Sequence, residues 1–471
     1  MNLRLPLLAF CLAISAAPAF AAGPPLVIVC RPDPEAIVTL NVPSFGTPTI
    51  WDAQFADKTA QNIRFSGAVV LGNGNILAAG QEQSVDYKAA NDILVELDSR
   101  ARVIDDKRIK AGTGERSGAI MPLKDGGYII ASTILTGKKG DEKATRLARY
   151  GRDRVFRSDI ILKDTNFDYQ TAGLTLAGDG KSYIAIVHAV NRRDNLDEYG
   201  LLFRISEGGK VLWKRAYRPG IANQINNVTA LDGKHFVAAG RVRNEDGRMA
   251  GWLMGLNDDG TITWQKTYPR GHNAILRSVT VKRGAPDGDH IVAVGQVMPY
   301  GDSPGAAWVM ELDGASETVW QRYVRATNYN LDARSALAED DGRVMIMANA
   351  TVKRGDEDGS NHIRLITLSP RGEVMGDEAY MQGKRAEAVQ LIAGGSRERL
   401  VIATIDAVID GTGKKETASQ RIARQQMIGP VKPESGPAAP DTMRTQGWVF
   451  AATPLPAYND PCVIRAERAE P

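Results

Sequence analysis

Residues 227–268 read NVTALDGKHFVAAGRVRNEDGRMAGWLMGLNDDGTITWQKTY, and their grammar decides the fold. Four apolar runs alternate in steps of two, which places every second side chain on one face of an extended strand. Asp232-Gly233 and Asp259-Gly260 fall between the runs, where a tight turn needs residues that tolerate unusual backbone angles. The stretch therefore predicts two hairpins, or one four-stranded antiparallel unit.

Working outward, the first hairpin recurs along the chain. It begins at Ser66 (SGAVVLGNGNILAAG), Ser117 (SGAIMPLKDGGYIIAS), Thr171 (TAGLTLAGDGKSYIAIV), Asn227, Ser278 (SVTVKRGAPDGDHIVAVG), Ser335 (SALAEDDGRVMIMAN) and Ala388 (AVQLIAGGSRERLVIAT). Successive starts are 51, 54, 56, 51, 57 and 53 residues apart. The second hairpin follows most clearly at Gly200, Gly251 and Ala307, and more weakly at Asp92, Ala144 and Ile363. Seven such units predict an all-β fold: a seven-bladed β-propeller of four-stranded antiparallel blades. Ser66-Gly67-Ala68, Ser117-Gly118-Ala119, Ala172-Gly173 and Ser335-Ala336 suit innermost strands that crowd one axis. Trp213, Trp264 and Trp320 suit outer strands, where large rings pack between blades.

The seventh unit runs out after its third strand, GWVFAA from Gly447, whereas Trp51-Asp52-Ala53-Gln54-Phe55 repeats the spacing of Trp213 to Tyr217. The ring is therefore expected to be closed by an N-terminal strand, which removes two open sheet edges. The expected domains are a signal peptide at 1–21, a segment at 22–50 packing on the last blade, and a propeller at 51–471 with a Pro- and Gly-rich insertion at about 409–446.

The opening MNLRLPLLAFCLAISAAPAFAAG has one early cation, a short apolar run and Ala19-Phe20-Ala21, the pattern of a cleaved secretory signal. A periplasmic or secreted location is expected, with no membrane span. Removing the signal takes Cys11 with it and leaves Cys30 and Cys462 of the three cysteines. An oxidising compartment and the meeting of the chain ends favour a disulfide between them. Charge is nearly balanced, 58 Lys plus Arg against 55 Asp plus Glu, so no long-range attraction for nucleic acid is expected.

The blades resemble those of bacterial secreted β-propeller repeat proteins, in which a DGGY-I-x-G hairpin precedes W-L-V-x-L-D-x-x-G-x-x-x-W. Asp125-Gly126-Gly127-Tyr128-Ile129-Ile130 and the run from Trp252 to Trp264 carry the likeness, which extends distantly to quinoprotein-like and WD40-like propellers. It implies architecture. Only three of the seven units hold the tryptophan, so no quinone, and no other cofactor, is expected.

Chemistry leaves little trace. His188, His235, His272, His290 and His362 show no metal-ligand spacing, and no residue is singled out as catalytic. The Asp-Gly pairs at 125, 179, 232 and 287 are read as turns. Arg116-Ser117, Arg277-Ser278 and Arg334-Ser335 place an arginine before the first hairpin of three blades. The three are the candidate binding residues at the channel mouth, for an oxyanion, unless each pairs with a neighbouring carboxylate. The loops between strands two and three are long and charged at Ser84, Thr136, Asn191 and Lys353. The function expected is non-catalytic binding of a protein, glycan or peptide by one face. The alternative is a propeller enzyme, a hydrolase or lyase on a carbohydrate or ester, with residues from several blades. Peptide mapping of the mature protein without reductant is expected to return Cys30 and Cys462 as one cross-linked pair; two freely alkylated thiols would refute the bond.

Overall fold

The computed structural model describes residues 32–55, 62–83, 90–109, 116–137, 141–285, 287–353, 360–394, 398–409 and 442–458. The signal segment, Cys30, Cys462 and residues 410–441 of the insertion lie outside them. Two strands come before the first blade, β1 (Glu35–Thr39) and β2 (Thr49–Phe55). Blade I is β3 (Asn62–Val70), β4 (Ile76–Gln83), β5 (Ala90–Leu97) and β6 (Val103–Ile109). Blade II is β7 (Arg116–Pro122), β8 (Tyr128–Thr136), β9 (Glu142–Tyr150) and β10 (Phe156–Leu162). Blade III is β11 (Phe167–Leu176), β12 (Ser182–Asn191), β13 (Glu198–Ser206) and β14 (Val211–Tyr217). Blade IV is β15 (Ala222–Ala230), β16 (His235–Arg243), β17 (Met249–Asn257) and β18 (Ile262–Tyr268). Blade V is β19 (Asn273–Ala285), β20 (Gly288–Met298), β21 (Ala306–Leu312) and β22 (Thr318–Arg325). Blade VI is β23 (Tyr329–Ala338), β24 (Val344–Val352), β25 (His362–Leu368) and β26 (Val374–Tyr380). Blade VII is β27 (Arg385–Ala393), β28 (Arg399–Ile409) and β29 (Thr442–Ala452), completed by β2.

Closure is therefore as the repeat arithmetic requires. β2 pairs antiparallel with β29, setting Trp51 opposite Ala451 and Gln54 opposite Trp448. The seam continues inward, where Ala68 N–H of blade I donates to Gln390 Oε1 of blade VII (2.8 Å). The backbones of β28 and β29 stay paired out to Ile409 and Thr442, so residues 442–446, read from the sequence as insertion, belong to a strand.

The path of residues 32–50 differs from the expectation that this segment packs on the last blade. β1 lies parallel to β22 and makes blade V five-stranded. Phe45 then bridges to Ala379 on the outer strand of blade VI, and only at Thr49 does the chain enter blade VII. The reason is geometric: outer edges of two blades lie on the way to the vacant slot, and each offers unpaired backbone groups. Leu40 is buried among Trp320, Val324 and Leu331, and Arg322 Nη1 donates to the Asp33 carbonyl (2.7 Å).

Every inner strand carries one extra residue at the same level. The bulge falls at Ser66, Gly118, Ala172, Asn226, Arg277, Arg334 and Val389, a local kink that turns the strand at the axis. Here the blades are hydrogen-bonded to one another. Asn227 Oδ1 accepts from Val279 N–H (3.1 Å), the counterpart of the Gln390 to Ala68 bond. Farther along, a carboxamide or carboxylate at the start of the inner strand accepts a backbone N–H from the preceding blade: Asn62 from Thr445, Asp168 from Lys143, Asn223 from Gly200, Asn273 from Met249 and Asn330 from Gly305. Gly118 faces Thr171 of the next blade, where an added Cβ would come within 2.8 Å of Cγ2, and this accounts for the small residues.

Two of the three tryptophans lock neighbouring blades from outside. Trp213 Nε1 donates to the Asp258 carbonyl (2.9 Å) and Trp320 Nε1 to the Pro370 carbonyl (3.2 Å), each in a turn of the following blade. The rings need a glycine there: Gly372 has φ +77°, and its added Cβ would meet Trp320 at 2.7 Å. Trp264 lies instead over Gly255 of its own blade, and the corresponding turn of blade V carries Ser316 at φ 67°. Among the described residues no helix is long and apolar enough to cross a membrane.

Two outcomes follow for stability. Gly372→Ala should cost roughly 2 kcal/mol or more in chemical denaturation, from left-handed strain and the clash with Trp320, while Gly233→Ala, with open space around it, should change little. His362, fully buried between Phe45 and Tyr329, makes a ring-nitrogen contact to the Ser360 carbonyl (3.0 Å) through Nδ1, while Nε2 is without a partner. Burial lowers its pKa to about 4. The unfolded chain therefore takes up a proton that the folded chain refuses. Stability should fall as pH drops from about 6.5 toward 4, by on the order of 3 kcal/mol, and His362→Phe should remove that dependence from a series of denaturation midpoints.

Candidate functional site

The bulge register decides which arginines meet. Arg277 and Arg334 are both bulge residues, so they occupy the same level in adjacent blades. Arg116 does not share it. It pairs with Thr133, two residues before the bulge at Gly118, the level held in other blades by Arg64, Gln170, Gln224, Ile275, Asp332 and Glu387. Aligning blades on a serine thus brought together residues that the strands keep two positions apart.

Arg277 and Arg334 lie in a chain of charges. Arg277 grips Asp332 through Nε and Nη2, both at 3.1 Å, the planar fork geometry that guanidinium and carboxylate share. Arg334 reaches Asp332 (3.4 Å) and Glu387 of blade VII (3.3 Å). These two arginines therefore pair with neighbouring carboxylates, and Asp332 is the residue that sequence reading missed. Its signal was weak: one acid two residues before Arg334.

A second ring of side chains sits opposite the level of Asp332, on the second strand of each blade: Gln81, Thr133, His188, Arg241, Gln296, Asn349 and Thr404. Several tie the next blade. Thr133 Oγ1 accepts from Thr171 N–H (3.0 Å), His188 Nε2 sits 2.8 Å from the Ile225 carbonyl, and Asn349 both donates to and accepts from Ala388. Burial, the largest cause, pulls the His188 pKa down, which keeps the ring neutral and suited to this tie.

Arg241 breaks the pattern. In its blade Asn226 Nδ2 takes the neighbouring Leu276 carbonyl (2.7 Å). The guanidinium is left with a 3.4 Å contact to Glu198 and a 3.1 Å contact to the Met249 thioether, a weak acceptor. Burial first, and then the like charges of Arg277 and Arg243, push its pKa below the ordinary value against the pull of Glu198.

Above this level the loops between strands two and three and the linkers between blades open on one face. Arg248 Nη1 donates to Tyr300 OH (2.6 Å) with its charge 5.8 Å from the ring centroid. His272 meets the same ring edge-on at 5.8 Å. One blade away, Arg218 lies 3.8 Å over Tyr199 and reaches Asp197 (3.3 Å). Leu196, Ile221 and Tyr300 are 63%, 54% and 60% exposed on this face.

The Asp-Gly pairs behave as turns: Asp125 accepts from Gly127 N–H, Asp179 from Lys181 and Asp232 from Lys234. Among the described residues, no group of three His, Cys, Asp or Glu side chains is placed to hold a metal ion.

No protein-family model matches the chain, and no curated protein does. Solved structures resemble it at low identity. The acylaminoacyl peptidase of Pyrococcus horikoshii is 11% identical with a TM-score of 0.42, over 72% of this chain and 49% of that one, so the chain spans about half of the peptidase it matches. Sqt1 from Chaetomium thermophilum is 12% identical with a TM-score of 0.42, over 76% and 97% of the two chains. The β-propeller domain of the trilobed protease from Pyrococcus furiosus is 12% identical with a TM-score of 0.41, over 73% and 89%.

Asp332 holds two cations across a blade junction at partial exposure. Asp332→Ala should lower stability by roughly 1 to 3 kcal/mol, read as a shift of the urea midpoint, and an unchanged midpoint would show that the pair holds nothing together.

Proposed function

We propose that the chain is an exported, non-catalytic interaction module of a bacterial envelope or secretome, which binds a protein, glycan or peptide with the face carrying the second-to-third-strand loops. The observation that supports this reading is the exposure of Leu196, Ile221 and Tyr300 on the loops and linkers of blades III to V, beside Arg218 and Arg248 stacked on aromatic rings. Aromatic and arginine anchors dominate binding energy at protein surfaces, and a rigid scaffold that positions the loops carrying them lowers the ordering cost of binding.

The mature protein, immobilised and exposed to its native envelope fraction, should retain a partner whose recovery drops at least tenfold with Tyr300→Ala or with Leu196→Ala and Ile221→Ala combined. Equal recovery by wild type and variants would remove this face from the reading. Turnover of an ester or glycoside by the purified protein, lost on substitution at the face, would establish an enzyme instead.

A further inference from the structure

The junction of blades IV and V holds more guanidinium than it neutralises. Arg243 makes no ion pair among the described residues. Arg241, which feels the charges of both Arg243 and Arg277, pairs among the described residues with one carboxylate, Glu198 at 3.4 Å, and Glu198 also accepts from Gln224 Nε2 (2.8 Å). Arg277 is committed to Asp332, and Arg248, above them, to Asp246 (3.1 Å). With Arg334, which shares Asp332 and reaches Glu387, four arginines, Arg241, Arg243, Arg277 and Arg334, thus face three carboxylates, Glu198, Asp332 and Glu387, under a rim of Arg248, Tyr300 and His272.

We propose that this junction binds the carboxylate of a polypeptide C terminus, with Arg241 and Arg243 on the carboxylate and Tyr300 against the last side chain. The inference rests on the interaction-module reading and names the ligand chemistry of that face. A single surplus positive charge suits a monoanion; a dianion would be drawn in but left half unmatched beside Glu198 and Asp332. The amides of the junction are already spent on the protein itself. Asn226 holds the Leu276 carbonyl, Asn273 the Met249 N–H, Gln296 the Leu331 carbonyl and Gln224 the Glu198 carboxylate. A sugar acid would find few partners for its hydroxyls here, whereas a carboxylate next to an apolar side chain needs only the guanidinium forks and an aromatic face.

The test titrates the mature full-length protein calorimetrically with acetyl-Ala-Ala-Phe as the free acid, with the same peptide as its C-terminal amide, with phenyl phosphate and with galacturonate. The free acid should bind at least tenfold more tightly than each of the other three. Arg241→Gln and Arg243→Gln should each weaken it roughly tenfold, while Arg102→Gln, far off on blade I, should leave it unchanged. Equal binding of acid and amide, or of the acid by wild type and by the Arg241→Gln, Arg243→Gln double variant, would overturn the proposal. Tighter binding of phenyl phosphate or galacturonate would overturn it in favour of a phosphate or a glycan. If the double variant still captures the envelope partner that Tyr300→Ala loses, the carboxylate site fails while the interaction face stands.

Discussion

Seven twisted sheets can surround one axis only if each is fastened to the next at the place where there is least room. In this protein the fastening includes short-range hydrogen bonds between neighbouring blades, from the inner strand at some junctions and from the second strand at others, close to a bulge that recurs at one level in all seven blades. Asn227 holds Val279, Gln390 holds Ala68, and small residues such as Gly118 let the strands come close enough for such bonds to form. The apolar clusters fill the space between sheets, as from Met121 to Phe203 between blades II and III. Burial of that kind is non-directional, and the hydrogen bonds set the angle and level at which the sheets meet.

The same constraint shapes the candidate site. A ring position that must tie the next blade admits a neutral hydrogen-bonding side chain, as Thr133, His188 and Asn349 do. When Asn226 assumes that task in blade IV, Arg241 is released from it. Likewise the cations at the bulge of blades V and VI stand in a crowded, partly desolvated ring, where a guanidinium needs a carboxylate nearby. Asp332 supplies it to both.

Outer closure follows a different physics. β2 completes blade VII because an unpaired third strand leaves backbone donors and acceptors exposed, and the segment leading to it covers the edge of blade V as β1 on the way. Phe45 then meets His362 edge-on, and the buried Nε2 of that ring has no hydrogen-bond partner. The N-terminal segment thus closes the ring and shields two edges.

The four-stranded repeat, the blade number and the slot filled by Trp51 to Phe55 were legible in the sequence, because alternation, turn residues and a repeat near 53 residues are local properties that survive without coordinates; the fifth strand of blade V, β1, was not. The packing of Trp213 and Trp320 on the next blade was legible for the same reason, though the glycine each ring requires, Gly260 or Gly372, sits in a different repeat. Register at the axis was not. A bulge adds one residue without any sequence mark, so Arg116 seemed equivalent to Arg277 and Arg334 while the strands hold it two positions away. The partners of a charge were hidden too: Asp332 lies 55 residues from Arg277. Composition and spacing determined that seven sheets would form and which end would close them; only the tertiary structure decided which side chains share a level, because that depends on how seven separate sheets are hydrogen-bonded around one axis.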